Sequence, residues 1–227
     1  MASALALGAL VVGQLHFVNL TFDDAFISFR YAENLVEGHG LVFNPGERVE
    51  GYSNPLWTLL LGVPTWLGAG RLEHGMLVVS KTLGALLNVA TLLLLVRATR
   101  RGPHALPVAA CYLASLAPFL VWGVGALETP LVTLLLAATA LLFLDESREV
   151  QPEARRPVPW SALTLLLAAL TRPEPVILAA PLVAFRSVRQ GWRAGARYAA
   201  AFGGPYALML AWRYGYYGEL LPNTYYA

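Results

Sequence analysis

The sequence predicts an all-α, polytopic membrane protein of about seven transmembrane helices. Two observations lead there. Of the 227 residues, 57% are hydrophobic and only 13% carry charge, against roughly 25% charged residues in an ordinary soluble domain. The apolar residues also fall in blocks long enough to enter a bilayer, separated by short loops rich in Arg, Pro and Gly. The remaining composition narrows the function classes. A net charge of +2 is too small to imply nucleic acid, and the single cysteine, Cys111, lies in an apolar run, which excludes a disulfide framework or a zinc cluster. GxSxG, Walker, CxxC and HExxH patterns are all missing from the sequence.

The first span, 2–20, has no basic residues ahead of it and no small-x-small site after it, so it reads as a retained helix rather than a signal peptide. Further spans are expected at 76–96, 105–122, 131–144, 158–171, 174–185 and 198–212. Several are shorter than the ~20 residues of a full crossing. Loop charge orients them. Arg97, Arg100 and Arg101, then Arg148, Arg155 and Arg156, then Arg186, Arg189, Arg193 and Arg197 fall in three loops that alternate with arginine-poor ones. Placing these three in the cytoplasm puts 21–54, 123–130, the Arg172-Pro173-Glu174 corner and the tail from Tyr214 outside. The acids of the segment around Asp145 and Glu146 then read as a solvated cytoplasmic loop.

Two segments strain this count. The apolar stretch 55–67 would reverse every later loop if it crossed. A helix of that length spans only ~20 Å against a ~30 Å core, and Pro64 interrupts it. It is expected to be a juxtamembrane or re-entrant helix. The second is 158–185, where a single span would bury Arg172, Glu174 and two prolines at mid-membrane. A hairpin with its corner outside is expected instead.

The first outer loop, 21–54, carries the most information. Thr21 is placed to cap a surface helix at 23–37 whose first turn holds Asp23 and Asp24, where carboxylates suit the helix dipole. Phe22, Phe26, Phe29, Ala32 and Val36 recur at helical spacing as an apolar face, with Asp23, Ile27, Arg30, Asn34 and Glu37 as a more polar stripe. Gly38 ends the helix, and 41–50 reads as a small hairpin around Asn44-Pro45-Gly46. The whole is an amphipathic helix lying on the membrane surface.

Adjacent carboxylates at a helix start are commonly just solvated acids. Here the other outer loops repeat a polar theme: Glu128, Arg172 with Glu174, and Asn223. Acids and arginines gathered at one leaflet suit a lipid-linked, anionic, hydroxyl-bearing substrate, with Arg on a phosphate and a carboxylate deprotonating a hydroxyl. Lys81, inside an apolar span near its end, reads as a snorkelling residue or a functional one. Gln14 and His16 read as interhelical hydrogen-bonding groups. His39 has the alternative role of a turn residue, and His74 and His104 are loop residues.

Four segments, in order, carry a family resemblance: "DDAFISFRYAENLVEGHGLVFNPGERVEGYSNPLWTLLLG", "GALETPL", "ALTRPEP" and "YYGELLPNTYYA". They resemble the GT-C superfamily of polyprenyl-phosphate-sugar-dependent glycosyltransferases, and within it the terminal β-(1→2)-arabinofuranosyltransferase branch. The resemblance runs from Asp23 to the last residue and treats 1–227 as one transmembrane domain. It implies an inverting transfer from a polyprenyl-phosphate sugar to a glycan, lipid or protein acceptor, at the extracytoplasmic face of the cell membrane. It implies that Asp23 or Asp24 is the general base and that Glu128 is a second outer-face acid. Arg172 and Glu174 match the Arg-Pro-Glu corner. Arg30, His39, Glu50, Tyr52, Asn54 and Asn223, in the same motifs, are substrate-binding candidates. Members usually continue past the Pro-Asn-Thr-Tyr-Tyr motif, so the chain is expected to lack further carboxyl-terminal spans that a partner half would supply.

The chemistry holds without the family. A polyprenyl phosphate departs as a stabilised anion and needs no general acid. The demanding steps are deprotonating a sugar hydroxyl and stabilising an oxocarbenium-like centre. No cofactor is required, and a divalent metal near the departing phosphate is compatible with the scheme although no ligand spacing calls for one. Two other readings stand beside this one: a transporter for a lipid-linked sugar, which would place charges at mid-membrane, and a non-catalytic subunit that binds lipid-linked sugar.

Overall fold

The computed structural model describes residues 2–99, 108–148 and 158–225. Arg100, Arg101, His104, Arg155 and Arg156 lie outside the described residues. Among those described, the chain is all-helical with no strand. The helices are α1 (Ala2–Phe17), α2 (Asp24–Val36), α3 (Pro55–Trp66), α4 (Gly75–Thr99), α5 (Val108–Ser115), α6 (Ala117–Gly123), α7 (Thr129–Arg148), α8 (Trp160–Thr171), α9 (Ala179–Gln190) and α10 (Trp192–Tyr217). Two of them, Gly75–Ala98 within α4 and α7, are long and apolar enough to cross a membrane.

The chain divides into two compact units. The first comprises residues 1–47 and 54–134. Its core is Ala6 and Leu10 of α1, Leu92 and Val96 of α4, Ala110 and Ala114 of α5, and Phe119 of α6. Beside it, α2 packs on α3 through fully buried Ala25, Tyr31, Ala32, Trp57 and Leu61. The second unit comprises residues 48–53 and 135–227. It is built around Phe143 of α7, Ala162, Leu165, Leu166 and Ala169 of α8, and Tyr198 and Phe202 of α10.

Several segments depart from the sequence reading for identifiable reasons. Where the span at 105–122 is expected, the described residues from 108 onward form two short helices. Pro118 has no N–H and crowds the carbonyl one turn back, and Leu116 turns extended between α5 and α6 (φ −82°, ψ 116°). The 158–185 segment does break at Arg172-Pro173, with Arg172 extended (φ −149°, ψ 148°), as a residue preceding proline prefers. The chain resumes in a 3₁₀ turn at Glu174–Leu178 and then α9, which runs on to Gln190. Arg186 is therefore a helix residue and not a loop residue. It is buried, and its guanidinium pairs with Glu146. Glu146 also accepts from the backbone N–H (3.1 Å) and hydroxyl (2.6 Å) of Ser161 at the start of α8. The solvated-loop reading fails for Glu146, which is 5% exposed: it ties the end of α7 to α8 and α9.

α3 has 12 residues, or ~18 Å, too short for a ~30 Å core. It buries Trp57, Thr58, Leu61, Gly62 and Thr65 and turns Leu59, Val63 and Trp66 outward. Lys81 donates to the carbonyls of Val18 and Leu20, both at 2.7 Å. It thus satisfies backbone acceptors left over just past the end of α1. Gln14 is buried, but its Nε2 has no partner among the described residues; Asn88 instead donates to Phe119 O at 2.6 Å. His16 is exposed and meets the Phe17 ring edge-on.

Candidate functional site

The surface helix α2 forms within one residue of its expected bounds at each end. Its cap is Asp23 and not Thr21: Asp23 Oδ1 accepts from Asp24 N at 3.1 Å. The helix stops at Gly38 (φ +85°), a conformation glycine adopts without a Cβ penalty. His39 N closes the end by donating to Asn34 O at 2.9 Å. The buried face is rotated from the predicted one. Ala25, Ser28, Phe29, Tyr31, Ala32 and Asn34 are buried, while Phe26 is 53% exposed. The cause is polar. Asn34 Nδ2 donates to Val42 O and Phe43 O, both at 2.8 Å, and Arg30 Nε donates to Phe43 O at 3.3 Å. These carbonyls take side-chain donors from α2 in place of a partner strand, so the expected hairpin at 41–50 does not form.

Within the first unit, the sequence-predicted residues Asn54 and Glu128 come together. Asn54 Nδ2 donates to Glu128 Oε2 at 2.8 Å and lies 3.1 Å from Ser28 Oγ. Asn54 Oδ1 lies within reach of two hydroxyls, Thr58 Oγ1 at 3.1 Å and Ser28 Oγ at 3.2 Å. All four residues are buried. One amide thereby joins α2, the end of the outer loop, α3 and the loop before α7. That last loop is held tightly. Ala126, 2% exposed, sits at φ +69°, where an L-residue with a Cβ is strained. A Cβ at Gly125 would strike the Phe22 ring at 2.8 Å, and Phe22 stacks on Trp122 with centroids 4.5 Å apart. Phe22 therefore brings the start of α2 onto the loop that carries Glu128.

Asp23 and Asp24 are both exposed. They differ in direction. Asp24 is four residues before Ser28, so it stands one turn above it on the same helix face; Asp23 is the cap. Arg30 pairs with Glu33 at 3.0 Å on the far side of the helix, both half exposed. They rim a cavity of about 260 Å³ walled by Phe26, Phe29, Thr65, Gly70 and Met76. His39 is exposed at its turn, 3.5 Å from Glu37.

The other candidates belong to the second unit. Glu50, 3% exposed, faces Arg213 of α10, whose Nε lies 3.1 Å from Oε1 and 2.8 Å from Oε2. Burial pushes the Glu50 carboxyl above the ordinary carboxylate range, and the Arg213 charge pulls it only part of the way back. Tyr52 Oη meets Tyr217 Oη at 3.1 Å. Asn223 contributes backbone, its N–H donating to Glu50 O at 2.8 Å. Arg172 forks onto Glu174, Nε to Oε2 at 3.2 Å and Nη2 to Oε1 at 2.9 Å. No three His, Cys, Asp or Glu side chains gather among the described residues.

Sequence reasoning missed Ser28, Thr58, Arg213 and Tyr217. Ser28 and Thr58 carry no signal of their own. Arg213 does: an arginine directly after an apolar span needs a buried partner or an interface, and Glu50 is that partner.

Comparison with known proteins follows this geometry. No protein-family model matches the chain, and no solved structure does. The terminal β-(1→2)-arabinofuranosyltransferase of Mycobacterium tuberculosis (strain ATCC 25618 / H37Rv) is 33% identical over 215 residues, 89% of this chain. The chain spans 34% of that relative's length. The resemblance expected from the four motifs is thereby found across nearly the whole chain.

Proposed function

We propose that this chain is part of a membrane glycosyltransferase that moves a sugar from a polyprenyl-phosphate donor to a cell-envelope glycan, lipid or protein acceptor at the extracytoplasmic face. One observation carries the reading: in a homologue of an arabinofuranosyltransferase, Asp24 stands one turn from the Ser28–Asn54–Glu128 network. Exposed apolar rows support the membrane setting, with Val63 and Trp66 of α3 and Leu67 just after it all more than half exposed; patches of that kind are uncommon on soluble monomers.

In this reading Asp24 is the general base. The acceptor hydroxyl oxygen attacks the anomeric carbon from the face opposite the phosphate. The carbon–phosphate-oxygen bond breaks, the polyprenyl phosphate leaves with the electron pair, and the hydroxyl proton passes to Asp24. Glu128, fixed by Asn54, is oriented to accept a hydrogen bond from a sugar hydroxyl. Arg172, whose fork already matches a carboxylate, has the geometry to grip a phosphate. No cofactor is needed for these steps, and a divalent ion at the departing phosphate is compatible with them. Homology to a transferase and acids at a helix start favour this over a transporter.

The test uses the full-length protein, or this chain reconstituted with a carboxyl-terminal half. Asp24→Asn should lose about 10²–10⁴-fold in transfer rate with donor binding little changed. Asp23→Asn should keep its rate and lose no more than ~0.3–1 kcal/mol of stability. Arg172→Lys should weaken donor binding, because a point charge cannot replace a bidentate fork. Near wild-type transfer by both Asn variants would replace the catalytic reading with the binding-subunit one.

A further inference from the structure

From residue 179 to 217 the chain carries five arginines and no Asp or Glu. Two of the five are accounted for: Arg186 pairs with Glu146, and Arg213 with Glu50. The other three, Arg189, Arg193 and Arg197, flank the tight α9–α10 turn at Gly191 (φ +90°) and are exposed. Among the described residues none of them has an ion-pair partner. Arg193 and Arg197 stand at i,i+4 spacing, where like charges repel. The fold thus concentrates positive charge on one turn, and among the described residues no acid pairs with it.

The same turn exposes apolar groups. Trp192 is 71% exposed and Val188 83% exposed, and the Arg193 guanidinium lies 5.6 Å from the centre of the Trp192 indole. A soluble anion would need the arginines alone. An indole and a valine beside them match the boundary where phosphate headgroups meet acyl chains, the level at which tryptophan anchors and basic residues gather. From this pairing of exposed positive charge with exposed apolar surface, we infer that the α9–α10 turn is a binding surface for anionic phospholipid headgroups. The inference rests on the membrane setting and is independent of which acid acts in catalysis.

The full chain, reconstituted in phosphatidylcholine vesicles with trace spin-labelled lipid, tests it by electron paramagnetic resonance, without any activity measurement. The relative association of phosphatidylglycerol over phosphatidylcholine should be about fivefold or more, the worth of at least one basic residue near an anionic headgroup. It should fall towards one in R189Q/R193Q/R197Q and survive in R189K/R193K/R197K, which keeps the charges. It should also shrink in ~0.5 M salt, where screening is short-ranged. Equal association of the two lipids with the wild type would overturn the proposal, as would an unchanged preference in the glutamine variant. If the glutamine variant does not fold, the lysine variant and the salt series decide alone. Inorganic phosphate that abolishes the preference, where chloride of matched ionic strength does not, would mark a site for soluble anions and also overturn it.

Discussion

Glu128 and Glu50 are both almost fully buried, yet the two units hold them in opposite ways. Glu50 faces a guanidinium 2.8–3.1 Å away, so its charge is matched by an equal one. Glu146, in the same unit, is matched by Arg186. Glu128 receives instead a neutral amide, and that amide is braced by two hydroxyls. An arginine partner consumes a carboxylate electrostatically and makes it part of the scaffold. An amide partner fixes the direction of a carboxylate by hydrogen bonding, as Asn54 does for Glu128. The comparison separates two acids bound by arginines from one that an amide orients.

The largest effect expected from breaking this contrast is at Arg213. Arg213→Met leaves Glu50 buried and unmatched, which should cost about 3–5 kcal/mol. Combining it with Glu50→Leu should recover most of that loss, because two well-packed apolar residues remove both desolvation costs. Chemical unfolding of the purified chain in detergent measures both. A double variant as unstable as the single one would mean the pair is not a self-contained unit.

The amide comes next. Asn54→Leu leaves Glu128, Ser28 and Thr58 short of partners and should cost about 1–3 kcal/mol. Asn54→Asp sharpens the point. It places a second carboxylate beside the first, and like charges in contact repel as both ionise. Its stability should therefore fall steeply with rising pH, whereas Asn54→Leu should show no such slope. Equal pH profiles for the two variants would mean that the side chain at position 54 does not face Glu128 in the fold.

How much of this was visible in the sequence differs between the same two regions. α2, its stop at Gly38 and the break at Arg172-Pro173 were legible, because glycine, proline and helical spacing act locally. The acids Asp23, Asp24 and Glu128 stood out as charges in an apolar chain. The partnerships were not legible. Ser28 meets Asn54 across 26 residues and Glu50 meets Arg213 across 163, and no local rule connects them. The rotation of the α2 face had the same origin. Hydrophobic spacing placed Phe26 inside and Asn34 on the polar stripe, but Asn34 is buried because two loop carbonyls need its amide.

A smaller effect follows from titration. The folded protein holds the Glu50 proton above the ordinary carboxylate pKa of 4.5, where the unfolded chain has already released it. The Glu50 contribution is therefore greatest at low pH and declines as pH rises from there through the raised native value. Unfolding of wild type and Glu50→Gln across pH ~4–7 should show the wild type losing ground to the variant as pH climbs. An advantage that grows with pH would mean that Arg213 outweighs burial and that the pair depresses the carboxyl.

The smallest effect on stability is expected at Ala126, two residues from Glu128. Its φ of +69° costs an L-residue about 1–2 kcal/mol. Ala126→Gly relieves that strain, but it gives up a buried methyl, worth ~0.8 kcal/mol, and adds ~0.5–1 kcal/mol of chain entropy to be lost on folding. These terms nearly cancel, so unfolding of the glycine variant should match wild type within ~1 kcal/mol. Ala126→Val cannot follow the same path, since a β-branched residue at positive φ is a genuine outlier, and it should be clearly destabilised. On the proposed function, the informative measurement is sugar transfer by the glycine variant. If the strained turn serves to aim Glu128, a chain of unchanged stability should lose rate because the loop can relax. A glycine variant with full rate would leave the strain as a by-product of packing Gly125 against Phe22, and would free the orientation of Glu128 from any dependence on that turn.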